Sequence, residues 1–141
     1  MLGGGNPVGG SNPVGTGSTL NYIGKHAYAN SGSFLDTQTQ QTMLKFTTGN
    51  GYLRGKFTFF GSTEVDQTAA GISAGNMNNF QVLYDGQVVA VVKTDTGSED
   101  MPTILDYTTI IPPFTKVEIK VVAGSAAADY NTFCSFVGRV Y

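Results

Sequence analysis

The 141-residue sequence predicts an all-β fold: an eight-stranded antiparallel β-sandwich, a single jelly roll, with an extended N-terminal arm. Three observations predict it. No window longer than about ten residues sustains the i, i+3, i+4, i+7 apolar spacing of a helix. Eight β-branched and aromatic runs recur with Gly, Asn, Asp or Pro between them. The first residues, MLGGGNPVGGSNPVGTGST, contain no charge and two copies of Asn-Pro-Val-Gly. They cannot form a core, because glycine loses the most entropy on ordering and Pro7 and Pro13 lack a backbone donor. The chain therefore divides into an arm over 1–19 and a sandwich domain over 20–141.

Thr19 to Tyr28 is the first predicted strand, with Leu20, Tyr22 and Ala27 facing inward. Thr42 to Thr47 is the second, where Leu44 and Phe46 alternate with Met43, Lys45 and Thr47. Gly49-Asn50-Gly51 tolerates positive φ and leads into Tyr52 to Phe60, with Leu53, Phe57 and Phe59 on one face. These two strands are expected to form a hairpin. Residues 61–78 read as a long polar excursion, of a length that in a compact domain is functional or mobile.

Asn79 to Tyr84 and Gln87 to Thr94 flank Asp85-Gly86, a pair that calls for a type I′ hairpin turn. Residues 95–102 form an acidic loop. Thr103 to Ile111 is stopped by Pro112-Pro113, and Thr115 to Val122 alternates cleanly, with Val117, Ile119 and Val121 inward. Asn131 to Tyr141 closes the set. Two of these strands break the usual pattern of a wetted outer face: 88–92 and 133–141 are apolar on both sides. The intervening polar loops lack the apolar residues to cover both. Another subunit is therefore expected against Val89, Val91, Phe133, Val137 and Tyr141.

Charged residues make up only 13% of the chain, yet 40% is hydrophobic and nine Phe and seven Tyr are present, so disorder does not explain the low charge. The net charge of −2 gives no counterion-release drive toward nucleic acid. No apolar run reaches the length of a membrane span and no secretory signal pattern is present, which predicts a protein made in a cytosol.

Little chemistry is legible. His26 is the only histidine and Cys134 the only cysteine, so neither a disulfide framework nor a usual zinc site can be built. A nucleophilic trio of Cys134, His26 and Asp106 is permitted by composition, but no nucleophile elbow or local signature supports it. Asp95, Glu99 and Asp100 share a loop but lack the D-x-D-x-D-G spacing of a calcium site. Tyr22, Tyr28, Tyr52 and Tyr130 offer sugar-stacking rings, for which core-edge or interface packing is the simpler role. The reading is of a non-enzyme without cofactor or metal.

Over residues 20–141 the chain resembles the small single-jelly-roll structural proteins of bacteriophages and other non-enveloped viruses. The resemblance rests on the hairpin NFQVLYDGQVVAVVKTD, on IIPPFTKVEIKVVAG, and on the closing strand FCSFVGRVY. The Pro-Pro turn and terminal strand are also similar to the trimeric tumour-necrosis-factor and complement-globular-head sandwiches. The viral resemblance implies a minor capsid, cement or decoration protein on the virion. Its partners would be copies of itself, as a trimer or pentamer, and a major capsid protein. The arm would dock Val8 and Val14 into grooves on that partner, with Pro7 and Pro13 limiting the entropy lost. A receptor- or glycan-binding head of a phage fibre, using loops 61–78 and 95–102, is the alternative.

Overall fold

Apolar residues at every second position, punctuated by turn-forming pairs, fold this chain into strands that bury one face each. The computed structural model describes residues 20–32, 34–37, 39–64, 78–94, 104–123 and 130–141. The strands are β1 (Asn21–Ile23), β2 (His26–Asn30), β3 (Phe34–Asp36), β4 (Gln41–Thr47), β5 (Leu53–Glu64), β6 (Asn78–Tyr84), β7 (Gln87–Thr94), β8 (Ile104–Ile111), β9 (Lys116–Ala123) and β10 (Tyr130–Val140). One sheet runs β1-β2-β10-β5-β8, with β3 also paired to β10; the other runs β4-β9-β6-β7. All pairings are antiparallel. The protein is an all-β, two-sheet sandwich. Setting aside short β1 and β3, the chain changes sheet at every connection except β6–β7, an order consistent with a single jelly roll. Among the described residues no helix is long and apolar enough to cross a membrane.

The sequence reading places most strands correctly and errs at identifiable points. The first predicted strand is split by a turn at Gly24, whose φ of 59° lies in the left-handed region glycine tolerates. The expected hairpin of Thr42–Thr47 with Tyr52–Phe60 does not form. β4 pairs with β9 and β5 pairs with β10 and β8, so the Gly49-Asn50-Gly51 turn carries the chain from one sheet to the other. Both strands keep their apolar faces inward only by facing each other across the core. A register shift between Thr42 and Leu44 also buries Met43 beside Leu44. β5 continues to Glu64, past the expected end at Phe60. The Asp85-Gly86 hairpin forms as expected, with φ of 49° and 83°. The Asp85 carboxylate accepts the Lys116 amide at 2.8 Å, tying this turn to β9.

Five phenylalanines join the sheets. Phe57, Phe59 and Phe136 project from one sheet, and Phe46 and Phe80 from the other; all are buried. Phe136 lies 4.7 Å from Phe57 and 5.5 Å from Phe46, and Phe59 lies 4.9 Å from Phe80, ring centre to ring centre. Such pairs add to the stabilisation from burial alone. The Phe136 ring needs a place to lie. Gly55 of β5 stands directly opposite Gly138 of β10, and a side chain at either would run into that ring. A Cβ at Gly55 would also meet the Val137 carbonyl and Gly138 Cα, which are backbone and cannot swing away.

Gly55→Ala is therefore expected to cost about 1–3 kcal/mol by overpacking, and Phe136→Ala about 3–5 kcal/mol by loss of the ring. Urea unfolding of the two variants against the parent chain checks both values; an unchanged midpoint for Gly55→Ala would refute the close approach.

Candidate functional site

The outer face of the β1-β2-β10-β5-β8 sheet is built from the side chains that alternate with the buried phenylalanines. Registers on its two central strands pair Arg139 with Arg54, Val137 with Lys56, Ser135 with Thr58 and Phe133 with Phe60. Beyond Arg139, the Tyr141 amide donates to the Tyr52 carbonyl at 2.9 Å, and the two tyrosine rings stack at 5.3 Å and 13°. The face is thus a ladder of matched rungs: a tyrosine pair, an arginine pair, a Val–Lys rung, a hydroxyl rung and an edge-to-face phenylalanine pair at 5.2 Å. Val137 is 52% exposed and Tyr141 55% exposed.

Charge on this face is unevenly neutralised. Lys56 reaches Asp106 at 3.5 Å, and Asp106 also accepts the Thr58 hydroxyl at 2.9 Å. Among the described residues Arg54 and Arg139 pair with no carboxylate; Arg139 sits 5.7 Å from the centre of the Tyr141 ring. The rung extends sideways through His26, opposite Arg139, and is bracketed by exposed Ile23 and Ile110.

The other expected interface residues lie on the opposite side of the molecule. Val91 faces outward on β7, the edge strand of the second sheet, and is 58% exposed. Val89 is the extra residue where the register slips between Val82↔Ala90 and Leu83↔Val88. Ala90 and Val92 pack on the core. The structure thus brings Phe133, Val137 and Tyr141 together on one face and separates them from Val89 and Val91; no single flat partner reaches both groups. Pro7, Val8, Pro13 and Val14 lie outside the described residues, as do residues 95–102 and most of 61–78.

A second exposed group was not legible in the sequence. Thr48 and Thr115 are both buried; the Thr48 amide donates to the Thr115 carbonyl at 3.0 Å, and the Thr48 hydroxyl accepts the Thr115 amide and donates to the Pro112 carbonyl, each at 2.8 Å. This bridge fixes the Pro112-Pro113 turn, where the Phe114 amide donates to Gly49. Phe114 itself has a φ of 52°, rare for a bulky residue, and its side chain is 72% exposed. The turn holds an aromatic ring out in solvent beside the tyrosine rung's end of the sandwich.

The candidate trio of Cys134, His26 and Asp106 is not assembled. His26 and Asp106 sit on the outer face, whereas Cys134 faces the core, fully buried. Burial pushes its thiol well above the usual range. Burial likewise raises the Tyr84 phenol, opposed in part by its 3.0 Å hydrogen bond with Thr109. Among the described residues no cluster of His, Cys, Asp and Glu is placed to hold a metal ion.

No family model and no curated protein matches the sequence. Solved structures share the fold. A chain of infectious bursal disease virus, Gx strain, superposes with a TM-score of 0.50 at 15% identity over 82% of this chain. A chain from the VP2 subviral particle of the same virus gives 0.49 at 12% identity over 86%. This chain spans about a third of either viral chain, 32% and 34% respectively. A Bacillus endospore appendage subunit, from disulfide-linked pili, gives 0.46 at 11% identity, covering 92% of this chain and 97% of that one.

Cys134 is expected to resist alkylation in the native chain and react after denaturation. The thiol and the Tyr84 phenol hold their protons more tightly folded than unfolded. Their contribution to stability is therefore complete below a pH of about 8.5 and declines as pH rises beyond it. Unfolding midpoints measured from neutral to alkaline pH check the sign; a midpoint rising with pH would contradict it.

Proposed function

We propose that this chain is a virion structural protein: a minor capsid, cement or decoration protein that stabilises a capsid through subunit contacts and its N-terminal arm. The observation that carries the reading is the pair of exposed apolar groups on opposite faces of one sandwich. Val137 and Tyr141 lie on one side, Val89 and Val91 on the other. A weakly charged protein with apolar surface on both faces is suited to be enclosed by neighbours on both faces, as a subunit in a shell is. The fold likeness to a chain of infectious bursal disease virus supports the same reading at the level of architecture.

In this reading the partners are further copies of the chain, as a trimer or pentamer, and a major capsid protein. Pro7, Val8, Pro13 and Val14 supply two short equivalent docking units. The site of action is the virion, assembled in host cytoplasm. Binding is by surface burial, with no catalysis, no cofactor, no nucleic acid and no membrane involved.

A second reading is favoured by one observation. β5, β7 and β9 end, and β6, β8 and β10 begin, at the same end of the sandwich, so residues 65–77, 95–103 and 124–129 all connect strands there. Clustered connections suit a receptor- or glycan-binding head.

Deleting residues 2–18 is expected to abolish attachment to particles while leaving the sandwich folded. Co-sedimentation with particles, alongside a thermal melt of the truncated chain, measures both. Undiminished attachment would overturn the arm mechanism. Loss of cell adsorption on replacing loop acids with assembly intact would select the second reading.

A further inference from the structure

Charge in this protein is segregated along its sequence. Asp66, Asp95, Glu99, Asp100 and Asp129 fall in the connections at one end of the sandwich, and Asp36 and Glu64 close the strands that lead into that end. None of the eight lysines and arginines lies in residues 61–78, 95–103 or 124–129. Only three carboxylates, Asp85, Asp106 and Glu118, remain to face all eight cations over the rest of the chain. A chain with a net charge of −2 therefore keeps most of its acids in or beside three connections that hold no lysine or arginine.

The cations have a focal point near the opposite end. Arg139 and Arg54 stand directly opposite each other on neighbouring strands, with His26 next in the row. Like charges in direct cross-strand register destabilise a sheet, so the rung is relieved by an anion placed between the guanidiniums. The surroundings indicate which anion. Ile23 and Ile110 close the row at its two ends, and the stacked Tyr52 and Tyr141 adjoin it, so apolar and aromatic surface rims a pair of arginines. That composition matches a protein–protein hot spot. Within the row there are donors and no carboxylate or amide acceptors of the kind that sugar hydroxyls require.

We infer that the arginine rung receives the acidic 95–103 segment of a second copy of this chain, so that protomers associate head to tail. The segment TDTGSEDMP offers three carboxylates and Met101 for the apolar rim. On its own chain the rung lies near the far end of β8. β8 begins where this segment ends, and Ile104 and Ile110 are separated by about 20 Å of extended strand. The contact is heterologous, joining different surfaces on the two copies, and closes into a ring or runs on as a filament according to its rotation.

The inference deepens the assembly reading and shares its premise that the chain associates with itself. Sedimentation velocity on the full chain tests it, with two charge-reversed variants, Arg54→Glu with Arg139→Glu, and Asp95→Lys with Glu99→Lys and Asp100→Lys. Circular dichroism confirms that each remains folded. The parent chain is expected to associate at about 20 mM salt and to associate far more weakly at about 500 mM, where the screening length falls to about 4 Å. Each variant alone is expected to associate at least about tenfold more weakly. A one-to-one mixture of the two is expected to recover association, because each then offers the other a complementary surface. Failure of the mixture to associate overturns the proposal, as does association that ignores both salt and the substitutions. A monomeric parent chain that instead retains a sulfated polysaccharide through Arg54 and Arg139 also overturns it, and gives the rung to a glycan. Salt-insensitive oligomers would sink head-to-tail pairing while leaving the capsid reading intact; salt-dependent pairing by a chain that attaches to no particle, with or without its arm, would do the reverse.

Discussion

The Phe136 ring lying over the facing pair Gly55 and Gly138 is the constraint on which the rest of the molecule depends. Two strands at the centre of one sheet give up their side chains at one rung, and the space is filled by an aromatic ring that also touches Phe57 and Phe46. The arrangement works only in one register. A shift of one residue between β5 and β10 would bring side chains into that gap and turn the buried faces outward. By fixing the inward rungs, the glycine pair fixes the outward ones: Arg54 against Arg139, Lys56 against Val137, Phe60 against Phe133.

The outer surface therefore inherits its organisation from the core. A row of side chains across five strands, from Ile23 through His26, Arg139 and Arg54 to Ile110, exists because each neighbouring pair is held in register. The same logic places Val91 outward on β7, since Ala90 and Val92 must face the core. The extra residue at Val89 bends this edge strand, and Lys93 follows two residues beyond Val91. Both features discourage open-ended strand pairing along an exposed edge. Association through side-chain faces and through an arm is consistent with such an edge.

Turn chemistry holds the end of the sandwich opposite the acidic connections. The hydroxyl bridge between Thr48 and Thr115 satisfies buried backbone groups where two sheet-to-sheet crossings meet, and it carries the left-handed backbone at Phe114. Aromatic side chains at Tyr52, Phe114 and Tyr141 are exposed at this end. At the acidic end, position along the chain and position in space diverge. Strand ends separated by tens of residues lie together there, because antiparallel pairing brings the ends of β5, β7 and β9 beside the starts of β6, β8 and β10.

By itself the sequence determined the all-β class, the inward residues of four strands, the Asp85-Gly86 turn and the two-sided apolarity of 88–92 and 133–141. Each depends on neighbours in the chain, through alternation or through backbone preferences of Gly, Asp and Pro. Tertiary structure alone decided that β4 and β5 belong to different sheets, that Met43 turns inward, and that Arg54 meets Arg139. It also decided that Val137 and Val91 lie on opposite faces. These follow from which strands pair, and pairing is set by how apolar faces far apart in sequence close over one another, a long-range packing problem that no local pattern encodes.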